Sequence, residues 1–276
     1  MSLQLNDKVV VITGAGGIIC GGIAEALCET GAKLALLDIN QEAVEKEAEK
    51  IRSMGGTAQG YCADVLDRES LENIREAVRR DLGPCDVLIN GAGGNNPRAT
   101  TDNEYSAQAQ EGMKDFFALD PEGVRFVFDL NFIGTFLPTQ VFARDMVGRK
   151  GCTVLNISSM NAFRPLTKIP AYSGAKAAVS NFTEWLAVHF ARDGIRVNAI
   201  APGFFVTNQN RALLFDENGA PTPRTGKILA ATPMGRFGEI GEIMGAVRLL
   251  LSEEDAGFIT GVVLPIDGGF NAYSGV

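Results

Sequence analysis

The sequence predicts an α/β fold, in which a single doubly wound parallel sheet carries helices on both faces. The first observation is a set of seven short apolar runs that suit buried strands: 9–12, 34–37, 58–62, 86–89, 153–157, 196–200 and 262–266. The second is that helix-like segments alternate with these runs, which favours βαβ units with right-handed crossovers. The third is a glycine-rich turn directly after the first run, where such sheets commonly bind a ligand.

Most of the strand candidates are rich in Val, Ile, Leu or Ala, as is typical of parallel strands buried on both faces. The segments that we predict as helices are 18–29, 41–54, 67–81, 122–148, 172–192 and 239–251. In the second of them, Val44, Ala48 and Ile51 recur at helical spacing among Glu and Lys residues, which indicates one buried face. No repeat, low-complexity tract or linker interrupts the pattern, so we expect one domain spanning residues 1–276.

Composition narrows the possible partners of the chain. A net charge of −8 argues against nucleic acid, because phosphate binding needs a basic face. No stretch approaches the ~20 apolar residues of a membrane span, and the first residues lack signal-peptide character. Five irregularly spaced cysteines suit reduced thiols, and His189 is the only histidine, so no metal site is expected. We therefore expect a cytoplasmic protein that binds neither membrane nor metal.

The N-terminal region has the pattern of a dinucleotide site. The strand at 9–12 leads into Thr13-Gly14-Ala15-Gly16-Gly17, a helix follows, and the next strand ends at Asp38. A glycine-rich turn lets the backbone approach a pyrophosphate and points N–H groups at it. An acidic residue after the second strand accepts ribose hydroxyls and repels a 2′-phosphate. A glycine-rich loop alone would indicate only a turn, but this order predicts a Rossmann-type site for NAD rather than NADP.

A second pattern predicts proton transfer. Tyr172 and Lys176 are one helical turn apart, so their side chains share a face, and Ser159 lies thirteen residues before the tyrosine. A free tyrosine has a pKa near 10, and a neighbouring cation lowers that pKa by favouring the phenolate. A serine hydroxyl can orient the same substrate oxygen. A tyrosine beside a lysine on a helix is usually just solvated, but together with the cofactor pattern the three residues indicate alcohol–carbonyl interconversion.

These motifs resemble the short-chain dehydrogenase/reductase family over essentially the whole chain. The matching residues are Thr13-Gly14, Asp38, Asp64-Val65, Asn90-Gly91-Ala92-Gly93, Asn131, Ser159, Tyr172, Lys176, Pro202-Gly203 and Thr207. The resemblance implies that the catalytic residues are Asn131, Ser159, Tyr172 and Lys176, with Asn131 anchoring a proton-relay water next to Lys176. It implies that the cofactor is bound by Gly14, Gly17, Ile19, Asp38, Asp64, Val65, Asn90, Ala92 and Thr207. Among these, Asp64 and Val65 would hold the adenine and Thr207 would reach the carboxamide.

The chain departs from the family pattern near the cofactor. Ile18 and Cys20 stand where the family usually has glycine, and Gly91 stands where it usually has asparagine. Because the distance from Thr13 to Asp38 matches the family without a gap, we interpret Ile18 and Cys20 as substitutions rather than a shift. Neighbouring glycines are available for the close approach to the cofactor. The change at Gly91 is expected to matter little.

Two long segments, about 94–121 and 203–236, follow strands directly and should act as ordered substrate loops at the carboxyl edge of the sheet. The first of them, with other local matches, resembles the D-mannonate oxidoreductase (fructuronate reductase) branch, which implies D-mannonate and D-fructuronate as substrate and product. Candidate substrate-binding residues are Arg98, Asn161 and Arg211, since a guanidinium can hold a carboxylate in two hydrogen bonds. Any one cation is more often merely solvated.

Two alternatives stay open from the sequence. The enzyme could act on another sugar acid or on a polyol, for example one of gluconate type. The chain could also be a non-catalytic NAD-binding module on the same fold.

Apolar faces on the helices at 122–148 and 172–192 imply pairing across a two-fold axis, as in the family, so we expect a homodimer or homotetramer.

Overall fold

Seven parallel strands form one sheet in the computed structural model, which describes residues 3–206 and 211–275. The strands are β1 Val9–Thr13, β2 Lys33–Asp38, β3 Thr57–Cys62, β4 Cys85–Asn90, β5 Cys152–Ile157, β6 Ile195–Pro202 and β7 Val263–Ile266. Their order in the sheet is β3-β2-β1-β4-β5-β6-β7, and each adjacent pair is parallel. Every predicted strand is present within a few residues of its expected bounds. The order reverses between β1 and β4, the point at which such sheets bind ligands.

Helices cover both faces of this sheet. In chain order they are α1 Ile18–Leu27, α2 Gln41–Ser53, α3 Arg68–Asp81, α4 Pro121–Phe128, α5 Gly134–Phe142, α6 Pro170–His189, α7 Arg211–Leu214, α8 Pro223–Ala230, α9 Ile240–Leu251 and α10 Glu253–Ala256. One core packs α1, α2 and α9 against the sheet, and the other packs α3, α5 and α6 against the opposite face. In β1, Val10 and Ile12 face the first core while Val9 and Val11 face the second. The predicted doubly wound fold is confirmed.

One predicted helix is interrupted. The segment expected to be a single helix at 122–148 consists of α4, a π-helical segment at Asp129–Ile133, α5 and a short 3₁₀ turn. A π segment inserts a residue into the helical repeat and often occurs at functional sites. Here it contains Asn131. Residues 121–145 together are long and apolar enough to cross a membrane by length and composition alone, and half of their most apolar 18-residue stretch is buried within the fold.

The two long loops leave the carboxyl ends of β4 and β6 and contain short helical turns rather than extended coil. The first includes 3₁₀ turns at Pro97–Ala99, Ser106–Gln108 and Phe116–Ala118, and the second includes α7 and α8. An ion pair connects them, since the Lys227 ammonium lies 2.8 Å and 2.9 Å from the two carboxylate oxygens of Glu104. Lys168 ties the first loop to the segment before α6, because its carbonyl accepts from Thr101 N–H and its ammonium donates to Asp102 O.

Candidate active site

A cleft of about 570 Å³ opens at the carboxyl edge of the sheet, between the glycine-rich turn and the start of α6. The predicted site residues that line it are Gly14, Gly17, Ile19, Asp38, Asp64, Val65, Ala92, Ser159, Tyr172 and Lys176. These residues come from six different segments of the chain and meet because parallel strands end at the same edge. Thr207, predicted to reach a carboxamide, lies outside the described residues.

The glycine-rich turn leaves room for a phosphate at the N-terminus of α1. Gly14 adopts φ +69°, and a Cβ on it would lie 2.8 Å from the Ala92 nitrogen, so only glycine fits there. No side chain caps α1, and its first turn holds no acidic residue. The partial positive charge of the helix end and its N–H groups therefore face the cleft, an arrangement that binds pyrophosphate oxygens.

Asp38 is held rigidly at the end of β2. The Gly16 N–H donates to one carboxylate oxygen at 3.0 Å, and the Asn40 N–H donates to the other at 2.9 Å. Each oxygen keeps lone pairs for a further donor, such as a ribose hydroxyl. Farther along the cleft, Asp64 accepts from the Leu66 N–H at 2.9 Å, which fixes the turn after β3 beside Val65. The residues present thus fit the adenosine half of a dinucleotide.

The catalytic candidates meet at the other end of the cleft. Tyr172 and Lys176 lie in the first turns of α6, and Ser159 lies just after β5. Burial raises the pKa of Tyr172 above 10, and a hydrogen bond with Ser159 partly opposes that shift. Lys176 is almost fully buried, and its burial lowers its pKa to about 8. Its ammonium donates to the Ile157 carbonyl at 2.7 Å and lies 5.8 Å from the centre of the tyrosine ring.

These contacts correct one prediction from the sequence. Lys176 was expected to lower the pKa of Tyr172, whereas in the protein alone the pKa of the tyrosine is raised. The reason is that desolvation opposes charge on both groups, and that the ammonium is directed at the Ile157 carbonyl. Desolvation thus disfavours the phenolate of Tyr172 and the ammonium of Lys176 alike.

Asn131 lies next to this pair. Its amide nitrogen donates to Val127 O at 2.8 Å and Gly94 O at 2.7 Å, so α4 and the loop after β4 hold it on two sides. A Cβ on Gly93 would come within 2.7 Å of the Asn131 amide oxygen and 3.3 Å of the Lys176 nitrogen. Gly93 therefore keeps open the space between Asn131 and Lys176. The sequence motif contained Gly93, but nothing in its spacing revealed this role.

The side chain of Asn90 lies beneath the cleft rather than in it. Its amide nitrogen donates to Thr139 and to Asn156, both at 2.9 Å, and Asn156 in turn donates to Thr183. This chain of buried polar groups links β4, β5, α5 and α6. The amide oxygen of Asn90 is buried without a partner, and Asn90 is not among the described residues that line the cleft. Its contact with the cofactor stays a prediction.

The substrate candidates occupy different positions. Arg98 forms an ion pair with Asp120 and is not among the described residues that line the cleft. The guanidinium of Arg211 lies 5.8 Å from the centre of the Phe215 ring. Asn161 is 5% exposed, its amide oxygen has no partner, and its N–H donates to the Ser159 hydroxyl oxygen at 3.3 Å. Among the described contacts of the three, Asn161 touches a catalytic candidate, through its main-chain N–H, although neither Asn161 nor Arg211 is among the described residues that line the cleft.

Two further features bear on the chemistry. Within residues 3–206 and 211–275, no group of three or more His, Cys, Asp or Glu side chains is placed to hold a metal ion. The guanidinium of Arg164, after the short helical turn that follows Ser159, donates to the Asn271 carbonyl at 2.6 Å. What the cleft offers is therefore a helix end, a fixed carboxylate and a tyrosine–serine–lysine group.

Comparisons with known proteins agree with this arrangement. A family profile described as short chain dehydrogenase matches residues 8–218. An uncharacterized oxidoreductase from Haemophilus influenzae is 58% identical over 99% of this chain and 96% of its own, and an uncharacterized oxidoreductase UxuB from Bacillus subtilis is 48% identical over 99% and 98%. A gluconate 5-dehydrogenase from Gluconobacter oxydans is 32% identical over 96% and 95%.

Among solved structures, one provisionally named a D-mannonate oxidoreductase, from Haemophilus influenza with bound NAD, superimposes with a TM-score of 0.96. It is 58% identical, and the alignment covers 99% of this chain and 98% of that one. The family profile covers well over half of the chain, and these relatives align with nearly all of it. The chain therefore belongs to the short-chain dehydrogenase/reductase family of oxidoreductases.

Proposed function

We propose that this protein is an NAD-dependent oxidoreductase that interconverts D-mannonate and D-fructuronate in the cytoplasm. The observation that carries the proposal is a cleft in which Asp38 and the open end of α1 face the buried Ser159 and Lys176 and the partly buried Tyr172. The similar Haemophilus structure, provisionally named for D-mannonate and holding NAD, supports both the cofactor and the substrate.

Each residue has a task in the proposed reaction. NAD accepts the hydride in alcohol oxidation and, once reduced, gives it back in carbonyl reduction. Ser159 orients the reacting oxygen, and Tyr172 takes the hydroxyl proton or returns it. Lys176, whose burial lowers its pKa to about 8, and a water anchored by Asn131 would carry that proton away from the tyrosine. Because the phenol must lose its proton for oxidation, we expect alcohol oxidation to accelerate with rising pH.

Asn161 supports a polyhydroxylated substrate. A buried amide oxygen without a partner is unfavourable, and a substrate hydroxyl placed beside Ser159 would satisfy it. The carboxylate of a sugar acid requires a cation. Arg211, which directly follows residues 207–210 at the start of α7, is the leading candidate, and Arg98 would first have to leave Asp120.

Replacing Asn161 with leucine should lower kcat/KM for the sugar acid by roughly 5- to 150-fold. The reason is that a bound hydroxyl would lose its acceptor, a loss of about 1–3 kcal/mol. The dissociation constant for NAD and the midpoint of thermal unfolding serve as controls and should change little. An unchanged kcat/KM would remove Asn161 from the substrate site.

The alternative substrate is another sugar acid, which the 32% identical gluconate 5-dehydrogenase favours. A screen of hexonates, keto-hexuronates and neutral polyols with NAD or NADH separates the two. We expect D-mannonate and D-fructuronate to give the highest kcat/KM. If gluconates were preferred, the substrate would change and the reaction type would stand. A protein that bound NADH but turned over none of these compounds would be the non-catalytic module.

Cofactor choice should depend on Asp38. Replacing Asp38 with serine and Ile39, whose side chain is exposed, with arginine should move the ratio of kcat/KM for NAD to that for NADP by roughly 10- to 150-fold towards NADP. The loss and gain of charged hydrogen bonds of about 1.5–3 kcal/mol underlie this shift. Asp38→Asn is the matched control that removes charge without adding a cation. Equal kinetics with both cofactors in the unmodified enzyme would contradict the role of Asp38.

We also propose that the protein is a homodimer or homotetramer. Trp185 and Val188 on α6 are 57% and 80% exposed, and Trp185 continues a stack of rings with Phe182 and His189. An apolar helix face of this kind suits isologous pairing. Light scattering should give a dimer or tetramer at micromolar concentration, and Val188→Glu should shift it towards smaller species. A monomeric unmodified protein would refute the proposal.

A further inference from the structure

We propose that Cys20 and Gly91 form a matched pair, in which the cysteine sulfur replaces a side chain at position 91 and sets the floor of the cofactor cleft. This inference rests on the proposed binding of NAD in that cleft. It makes Cys20 a positioning residue for the cofactor. It also reverses the expectation that glycine at position 91 matters little.

The sulfur of Cys20 occupies the space in which a side chain at position 91 would begin. A Cβ built on Gly91 would overlap this sulfur outright, while the next nearest atoms are Thr13 O at 3.0 Å and Ile157 Cγ1 at 3.5 Å. Cys20 is buried, and both residues line the cleft. The thiol is therefore the one group that fills this space completely.

The contact joins two elements that bind different parts of a dinucleotide. Cys20 belongs to the first turn of α1, whose open end faces the cleft, and Gly91 directly follows β4. Thr13, the last residue of β1, also holds the segment after β4. Its hydroxyl oxygen accepts from the Gly91 N–H at 3.1 Å and from the Ala92 N–H at 3.2 Å. The sulfur thus sets the distance between the start of α1 and the end of β4.

The thiol acts through its volume. Burial raises the pKa of Cys20 to about 12, so the group is neutral at any working pH. If a methyl group were added at position 91, the sulfur could yield only by changing its rotamer or by shifting α1. Helical backbone restricts the available rotamers, and α1 is packed against the sheet. Either movement would change the shape of the cleft wall.

Gly91→Ala should therefore raise the dissociation constant for NAD by roughly 5- to 150-fold, the range that overpacking of a dense site produces. The measurement is a titration of protein fluorescence with NAD, which needs no substrate. Gly245→Ala is the matched control, because a Cβ at that position in α9 meets nothing within 4 Å. The dissociation constant of Gly245→Ala for NAD should equal that of the unmodified protein.

The decisive variant is Cys20→Ala combined with Gly91→Ala. No Cys20 atom other than the sulfur is among the three nearest to the added Cβ, so removing the sulfur relieves the overlap and leaves only the 3.0 Å approach to Thr13 O. We expect the double variant to recover NAD affinity to within about threefold of the unmodified protein. Cys20→Ala alone should weaken binding, because it leaves the space empty.

The outcomes separate this inference from the proposed function. The matched pair would be overturned if Gly91→Ala bound NAD as tightly as the unmodified protein, or if the double variant bound NAD as weakly as Gly91→Ala. Either result would leave the proposed function standing. Failure of the unmodified protein to bind NAD would instead remove the proposed function. If Gly91→Ala did not fold, restored folding and binding in the double variant would support the pair, and failure of the double variant to fold would overturn it.

Discussion

Tyr172→Phe is expected to lower turnover by about 10²- to 10⁴-fold, the usual contribution of a general acid–base group. The phenylalanine keeps the ring beside Lys176 but cannot move a proton. NAD affinity should be preserved, because the cofactor contacts at Gly14 and Asp38 lie at the other end of the cleft. The measurement is kcat in both directions alongside the NAD dissociation constant.

Tyr61→Phe provides the matched control for that experiment. Tyr61 is a buried tyrosine on β3 and is not among the described residues that line the cleft. Its hydroxyl donates to Asp81 at 3.2 Å. Its loss should reduce stability by about 1 kcal/mol and leave turnover unchanged. Near-normal turnover by Tyr172→Phe would end the catalytic assignment, whatever the control showed.

Lys176→Met should abolish most of the activity and change how stability depends on pH. The folded-state pKa of Lys176 is lowered from 10.5 to about 8, so between these values the unfolded chain binds more protons than the folded one. The stability of the unmodified protein therefore gains from rising pH across that window, and below pH 8 it carries the full penalty of a buried ammonium. Methionine has a similar shape and no charge, so the variant lacks this dependence.

The expected result is a difference between the two proteins in how the free energy of unfolding depends on pH. The stability of Lys176→Met relative to the unmodified protein should fall by about 3 kcal/mol between pH 8 and pH 10.5, since one unit of pKa corresponds to about 1.4 kcal/mol. Denaturant unfolding of both proteins across this range measures it. Parallel curves would show that Lys176 has an ordinary pKa in the folded state.

The fold was predictable because its signals are local. Short apolar runs such as residues 9–12 and 153–157 are typical of strands buried on both faces, and alternation with amphipathic segments such as 41–54 leaves few topologies. The helix at 122–148 was predicted without its π segment because one inserted residue does not disturb the apolar pattern that identifies a helix. The π segment that this insertion produces sets the position of Asn131.

The site was predictable only in part, for a different reason. Recognisable motifs indicated that Tyr172, Lys176 and Asp38 lie at the sheet edge, and all three line the cleft, while their roles stay predictions. Pairing of charges depends on distant segments, so the ion pair of Arg98 with Asp120 could not be read from the sequence. The pKa of Tyr172 could not be read either, because burial arises from the whole fold. The fit of Cys20 against Gly91 likewise joins two positions far apart in the chain.

We predict a hydride-transfer enzyme whose substrate carries a carboxylate, and one comparison of substrates tests this prediction most directly. The measurement is kcat/KM with NADH for D-fructuronate and for D-fructose, which differ at the carbon that carries the carboxylate. A bidentate cation contact of about 1.5–3 kcal/mol predicts a preference of roughly 10- to 150-fold for D-fructuronate. Equal kcat/KM for the two ketoses, or no oxidation of NADH with D-fructuronate, would contradict the account.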